Sequence, residues 1–384
     1  MKNVLLITGL AVLSTSAFAS KARMEALGQG TTSYYLSDSR SVFVNPASLN
    51  DTKNYIVTEW GAGAQADSTT APRAEGGFFR EMGTFAYGLY LGNNGAGRTA
   101  TGATFSEHQN AMDLFLAGDM GMKWGAKVHY ANSKDETAAA FTKKNSALGL
   151  GLGASRGDLE GYFNLDLSDK SEGGSVAGDI WKRKPGMQLG GSYKFSGMTF
   201  FADYTATSEE ITSGGAGSTL TVAKGGTLTA GTAGTITHKT SDITVGVARI
   251  HEVNPGARIV ADARLVLGTD EVGGSVTTTE NGKTKTTKLP VTFALEADAT
   301  SWLVLRGSVS QNVIFGSTKS IAGKTATIAN SAVVNGGATL NFGKLKVDGV
   351  IGTTDQNRAA TAAANKGVLA TDNLMTRVGL TYNF

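Results

Sequence analysis

Cysteine is absent from the 384 residues, and only five positions are proline. Without cysteine no disulfide can staple the chain, so stability has to come from how the chain closes on itself. Scarce proline keeps long paired strands possible, because proline removes a ladder donor. Beyond the N-terminus no run reaches the roughly 18 consecutive apolar residues a spanning helix needs, which excludes a helical membrane protein. Histidine is rare as well. His108, His129, His238 and His251 are scattered and show no ligand spacing. No G-x-S-x-G elbow, H-E-x-x-H pair or P-loop occurs. The sequence therefore gives no catalytic residue, no metal site and no cofactor, and the chain is not expected to be an enzyme. Neither sign of charge dominates: 35 basic and 32 acidic residues leave a formal charge of +3. That balance argues against a nucleic-acid partner.

Glycine, in contrast, is abundant, at 51 residues, and the chain opens with an export signal. Lys2 is a short positive region, Val4 to Leu13 an apolar core, and Ala17-Phe18-Ala19 a small-x-small cleavage pattern. Residues 1–19 read as a signal peptide cut after Ala19, too short for a membrane anchor. After about residue 53, segments of roughly ten residues alternate apolar and polar side chains. In one of them Met122, Trp124, Ala126, Val128 and Tyr130 share a face, and Lys123, Lys127 and His129 share the other. Such alternation leaves bulk hydropathy ordinary, and the mean is −0.09.

Connections say more than strands. Tight turns rich in Gly, Asn and Asp are expected at Glu81-Met82, Gly118-Asp119, Arg156-Gly157-Asp158, Ser196-Gly197, Asn254-Pro255-Gly256, Ala299-Thr300 and Phe342-Gly343. Polar loops fall between them at about 63–73, 93–109, 131–144, 168–183, 209–240, 270–288, 313–332 and 353–372. Seven turns alternating with eight loops make fifteen connections, hence about sixteen strands, with fourteen as the alternative. The stretch 211–240 has room for an extended hairpin. Strict short/long alternation is the mark of an outer-membrane barrel, and a soluble sandwich has no reason to show it. The fold expected is thus an all-β transmembrane antiparallel barrel over 53–384, preceded by a periplasmic or lumenal segment at 20–52. Trp124 and the tyrosines near strand ends fit its interfacial girdles.

The face opposite the apolar one gives the lumen. Pore-lining candidates are Lys123, Lys127, Lys194, Arg258, Arg264, Arg306, Lys344, Lys346 and Arg377, with Glu160, Asp166, Asp203, Asp262, Glu296 and Asp348 of opposite sign. A barrel of about sixteen strands encloses a water-filled channel in which such charges stay solvated and steer ions. The competing reading of each charge is an ion pair between neighbouring strands.

Residues 21–50 do not alternate. Lys21 to Leu27 has the length of a helical turn or two stopped by Gly28. The run Phe43-Val44-Asn45-Pro46-Ala47-Ser48-Leu49 contains a turn signal. The segment is either a tether to the first strand or a small plug, with Phe43, Asn45 and Pro46 as its candidates. That run resembles the F-x-N-P-A-x-L signature of long-chain fatty-acid transporter barrels, which implies an N-terminal hatch. Ala22-Arg23-Met24-Glu25-Ala26-Leu27-Gly28, Ser39-Arg40 and Thr58-Glu59-Trp60-Gly61 resemble porin-type major outer-membrane proteins of predatory bacteria. The closing Thr381-Tyr382-Asn383-Phe384 resembles the terminal aromatic signal read by the barrel-assembly machinery.

The first expectation for function is a porin in the cell outer membrane, passing ions and small hydrophilic solutes. Its partners are outer-membrane lipid, the assembly machinery through Phe384, and, by analogy with porins, copies of itself in a homotrimer. The alternatives are a hydrophobic-substrate transporter with an N-terminal hatch, and a structural or surface-recognition barrel.

Overall fold

The computed structural model describes residues 20–30, 32–60, 74–93, 100–101, 105, 108, 110–136, 141–174, 176–215, 220–222, 227–228, 234–274, 282–319, 325–327, 332–353 and 377–384. Residues 1–19, where a signal peptide is expected, lie outside them, as do Leu374, Met375 and most of the outer loops. Sixteen strands form one ring. They are β1 Tyr55–Trp60, β2 Ala74–Met82, β3 Phe85–Leu91, β4 Met112–Asp119, β5 Lys123–Asp135, β6 Lys143–Arg156, β7 Leu159–Glu172 and β8 Ile180–Phe195. The ring continues through β9 Met198–Ser213, β10 Gly234–Asn254, β11 Ala257–Gly274, β12 Gly282–Asp298, β13 Leu303–Lys319, β14 Val333–Phe342, β15 Leu345–Thr353 and β16 Arg377–Asn383.

Each strand pairs antiparallel with its neighbours in sequence, and β1 closes the ring: Val57 lies opposite Gly77 on β2 and Thr381 on β16. Closure satisfies every edge, which is what a sheet in lipid requires. Phe384 follows the last strand and donates its backbone N–H to the Asn54 carbonyl at 3.1 Å, tying chain end to ring start. The outward face is apolar. Leu116, Leu152, Leu189, Val245, Phe293 and Leu305 are each more than 40% exposed, too much for a water-soluble exterior and suited to lipid. Phe85, Phe195, Trp302, Phe342, Tyr382 and Phe384 are also exposed and stand at the turn end of their strands, where an aromatic girdle belongs. The protein is an outer-membrane β-barrel.

The short/long alternation is present, with boundaries moved. Glu81 and Met82 finish β2, and the turn is Gly83-Thr84, with Gly83 at φ +63°. Gly118 and Asp119 likewise belong to β4, and its turn centres on Gly121 at φ +83°. The loops at 131–144, 168–183 and 209–240 shrink to 136–142, 173–179 and 214–233 because the strands run on beyond the membrane. β10 has 21 residues, roughly 70 Å of chain against an apolar band about 25 Å tall. In this outer extension Thr207 pairs with Thr240 on β10 at 2.6 Å. Most side chains there are polar on both faces, apart from a buried row of Trp181, Ile211 and Ile236, so the alternating pattern fades while the ladder continues.

Candidate functional site

The segment before β1 folds inside the ring, in its periplasmic half. It contains α1 (Lys21–Ala26), α2 (Ser41–Val44) and a 3-10 turn at Pro46–Asn50. Gly28 stops α1 at φ +73°, and Gln29 closes the end by donating its backbone N–H to the Met24 carbonyl at 2.9 Å. Asn45 caps the 3-10 turn, its Oδ1 accepting from the Ala47 N–H at 3.1 Å, with Pro46 at the first position where no donor is needed.

Two apolar contacts seat this segment. Val42, Phe43 and Leu49 pack on Tyr55, Phe79, Tyr90 and Phe115 of β1 to β4. Phe43 meets Tyr90 and Phe115 edge-on, at 4.9 and 5.3 Å between centroids. On the other side Met24, Leu27, Tyr35 and Leu36 pack on Phe201, Ala248, Val260 and Ala294. Each fully buried side chain of this size contributes roughly 1.5–3 kcal/mol. Glycines on the wall make room: a Cβ on Gly125 would overlap the Pro46 carbonyl, and one on Gly153 would overlap the Asn45 amide.

Polar wall residues close on the same segment. Arg23 donates Nε to Glu296 at 2.8 Å and Nη2 at 3.2 Å. Arg258 and Arg306 also donate to Glu296. Arg306 lies 3.6 Å from Asp348, which accepts from Ser20 Oγ at 3.1 Å. Asp262 accepts from Gln29 at 2.9 Å, Tyr35 at 2.7 Å and Arg264 at 3.0 Å. Asp203 accepts from Tyr34, Tyr162, Gln188 and Thr205. Lys127 donates to the Phe43 carbonyl at 3.0 Å, Lys123 pairs with Asp51, and Arg377 lies 2.8 Å from Glu25. Lys346 is buried next to this group.

Of the remaining candidates, Glu160 and Lys194 face each other at 3.5 Å, and Asp166 lies 3.6 Å from Arg183. Lys344 sits in the exposed turn with Gly343, at φ +67°, so it leaves the strand rather than pointing along the lumen. Phe43, Asn45 and Pro46 are all buried within the ring.

Several partners escaped the sequence. Arg40 stacks 3.9 Å above the Phe43 ring and donates to Glu59 at 3.2 Å and to the Tyr90 hydroxyl at 3.0 Å. Tyr90 in turn donates to Glu59 at 2.7 Å. Burial pushes the Asp38 carboxyl up to about 7, with Arg23 and Arg40 partly opposing. Its Oδ1 accepts from the Arg40 and Ser41 N–H groups at 2.7 and 3.1 Å, and its Oδ2 has no partner among the described residues. Two buried arginines in a 30-residue lead were a usable signal, since charges of that kind need partners.

Two openings lie beside the segment. A crevice of about 60 Å³ separates residues 33–51 from the β6–β8 wall. Another, of about 510 Å³, opens at the periplasmic mouth near the 157–158 and 196–197 turns. Among the described residues no group of three or more His, Asp or Glu side chains is placed to hold a metal ion.

No protein-family model matches the sequence, and no curated protein is significantly similar to it. Among solved structures, the toluene transporter TbuX of Ralstonia pickettii overlays with a TM-score of 0.43 at 12% identity, covering 97% of this chain and all of that one (100%). The toluene transporter TodX of P. putida gives 0.37 at 14% identity, covering 94% and 97%. A FadL homologue of Pseudomonas aeruginosa gives 0.43 at 12%, covering 95% and 98%. Overlays this loose carry no weight on cargo, which leaves the chain's own residues to speak for it.

Proposed function

We propose that this barrel carries small apolar solutes across the outer membrane past residues 20–52, which act as a plug that must shift for passage. The observation that carries the reading is that the segment is seated against the wall in the periplasmic half of the lumen, by packing and by ion pairs. Apolar side chains of the plug are seated on apolar wall, and Glu296, Asp262, Asp203, Lys127 and Asp348 are occupied by plug groups or their neighbours. A diffusion porin needs solvated wall charges along its whole length. The aromatic character of the inner wall, with Tyr55, Phe79, Tyr90, Phe115 and Phe201 all turned inward, favours an apolar solute over an ion.

Planar-bilayer recording discriminates between the two readings. The intact chain is expected to stay near zero conductance, and a variant lacking residues 20–50 to give steady open steps. Open steps from the intact chain, unchanged by the deletion, would restore the porin reading.

A further inference from the structure

Four wall carboxylates that meet plug groups also have partners on the wall itself. Glu296 keeps Arg258 and Arg306, and Asp348 keeps Arg306 and Thr339. Asp262 keeps Arg264 at 3.0 Å, and Asp203 keeps Tyr162 at 2.7 Å and Gln188 at 2.9 Å. A shift of the plug therefore leaves none of the four as a bare charge.

The two apolar seats differ in this respect. On β1 to β4 the wall aromatics cover one another: Tyr55 stacks on Phe79 at 4.8 Å, and Phe79 meets Phe115 at 5.4 Å. The plug residues there are also held by their backbone, since Lys127 and Asn164 donate to the Phe43 and Val44 carbonyls. Asn50 lies within about 18 Å of the start of β1 even on a fully extended chain. On β9 to β12 the seat is Phe201, Ala248, Val260 and Ala294, each 1–4% exposed. Phe201 lies over Gly246, where a Cβ would overlap its ring. Its ring partners among the described residues, Tyr34 and Tyr35 at 5.3 and 5.8 Å, both belong to the plug. These plug residues reach β1 only through residues 38–52. What a shift of Tyr34 to Leu36 uncovers is thus chiefly apolar, and covering it again is favourable for an apolar molecule that fits.

The patch borders open space. Tyr35 and Leu36 line both crevices, and the larger, of about 510 Å³, includes Thr199 and Ile250. These are the next positions on the same face as Phe201 and Ala248 along their strands.

We propose that the wall patch of Phe201, Ala248, Val260 and Ala294 is a binding site for the transported solute, and that Tyr34, Tyr35 and Leu36 fill it in the solute's place while the plug is seated. Solute and plug then exclude one another. By linkage the solute favours the shifted plug and opens its own way to the periplasmic crevice. This rests on the plug reading above and adds to it where the solute binds.

Planar-bilayer recording of the intact protein tests it, with naphthalene as the apolar solute and glycerol as a polar comparator. The quantity read is the urea concentration at the onset of conductance. Naphthalene at ten times its half-maximal concentration should move the equilibrium about tenfold toward the shifted plug, so the onset falls, and glycerol should leave it in place. Phe201→Ala weakens the seat and the site together, so its onset should start lower and no longer respond to naphthalene. Phe115→Ala, in the other seat, should also start lower but keep the response. Val260→Thr, which keeps the shape of the patch, should cut the response to about half, and it decides the matter if Phe201→Ala already conducts without urea. A wild-type onset that naphthalene leaves unmoved, an equal response in Phe201→Ala and wild type, a response lost in Phe115→Ala as well, or an undiminished response in Val260→Thr would overturn the proposal. An intact chain that conducts without urea, unchanged by deletion of residues 20–50, defeats the plug reading instead.

Discussion

The two halves of the barrel interior carry similar residues and use them differently. In the periplasmic half the inward charges reach across the lumen to the plug: Arg23 to Glu296, Ser20 to Asp348, Gln29 to Asp262. In the outer half they pair along the wall. Arg183 bonds Glu209 on the adjacent strand at 2.9 Å, His238 bonds Asp270 at 3.2 Å, and His129 bonds Asp113 at 3.0 Å. Trp181, Ile211 and Ile236 form a buried apolar row beside that outer network. An inward charge in a barrel therefore has at least three fates: water, a strand neighbour, or a foreign segment. Which it meets depends on what else the chain puts into the ring.

The largest contrast between the halves should come from Glu296→Gln. It leaves Arg23, Arg258 and Arg306 around a neutral amide, and removing one partner of a buried ionic cluster costs roughly 3–5 kcal/mol. The urea midpoint for the onset of conductance should fall sharply. Arg183→Met in the outer half should lower the thermal midpoint of the barrel and leave that onset in place. Equal effects of the two on plug release would erase the distinction.

A smaller effect is expected from Gly125→Val. The added side chain has to displace the Asn45-Pro46 turn, and overpacking of this kind costs typically about 1–3 kcal/mol. Flickering openings in planar bilayers are the expected signature. A silent channel would mean that the turn is not seated on β5.

The smallest effect is that of pH. With its carboxyl raised to about 7 in the seated plug and near 3.9 when released, Asp38 favours seating most fully below about pH 4. That contribution is lost as pH rises through about 7, so plug release should become easier from pH 6 to 8. Asp38→Asn should flatten the dependence. A wild-type release midpoint that rises over this range would show that the sign is wrong.

Strand number was legible because period-two alternation and loop length are both local properties. Leu159, Phe163 and Leu167 against Glu160, Asn164 and Asp166 fix one strand's two faces without any other strand in view. Boundaries were less legible where threonine replaces alternation, as in 205–213 and 234–242, which pair in full register. The fate of the inward charges was legible in part: the pairs of Arg258 and Arg306 with Glu296 join opposed positions of neighbouring strands, as the competing reading had it, whereas the contacts to the N-terminal segment left no local trace. Facing water and facing a plug give the same period, and the partners are separated by 273 residues for Arg23 and Glu296 and by 328 for Ser20 and Asp348. The Asn-Pro-Ala run stood out as a turn, but the glycines that receive it, Gly125 and Gly153, look like any others in a chain with 51.

The central claim is that the plug must move for solute to pass, and a lock tests it most directly. A Cβ on Gly337 would lie 2.6 Å from that of Ala26, so a cystine there needs only a small outward shift, in a chain with no other cysteine. Cells carrying the Ala26→Cys/Gly337→Cys protein in their outer membrane would be given an apolar fluorescent probe, N-phenyl-1-naphthylamine. The account predicts slow uptake when the pair is oxidised and wild-type uptake once a reductant opens it. Uptake at the wild-type rate in the oxidised, fully cross-linked protein would contradict it.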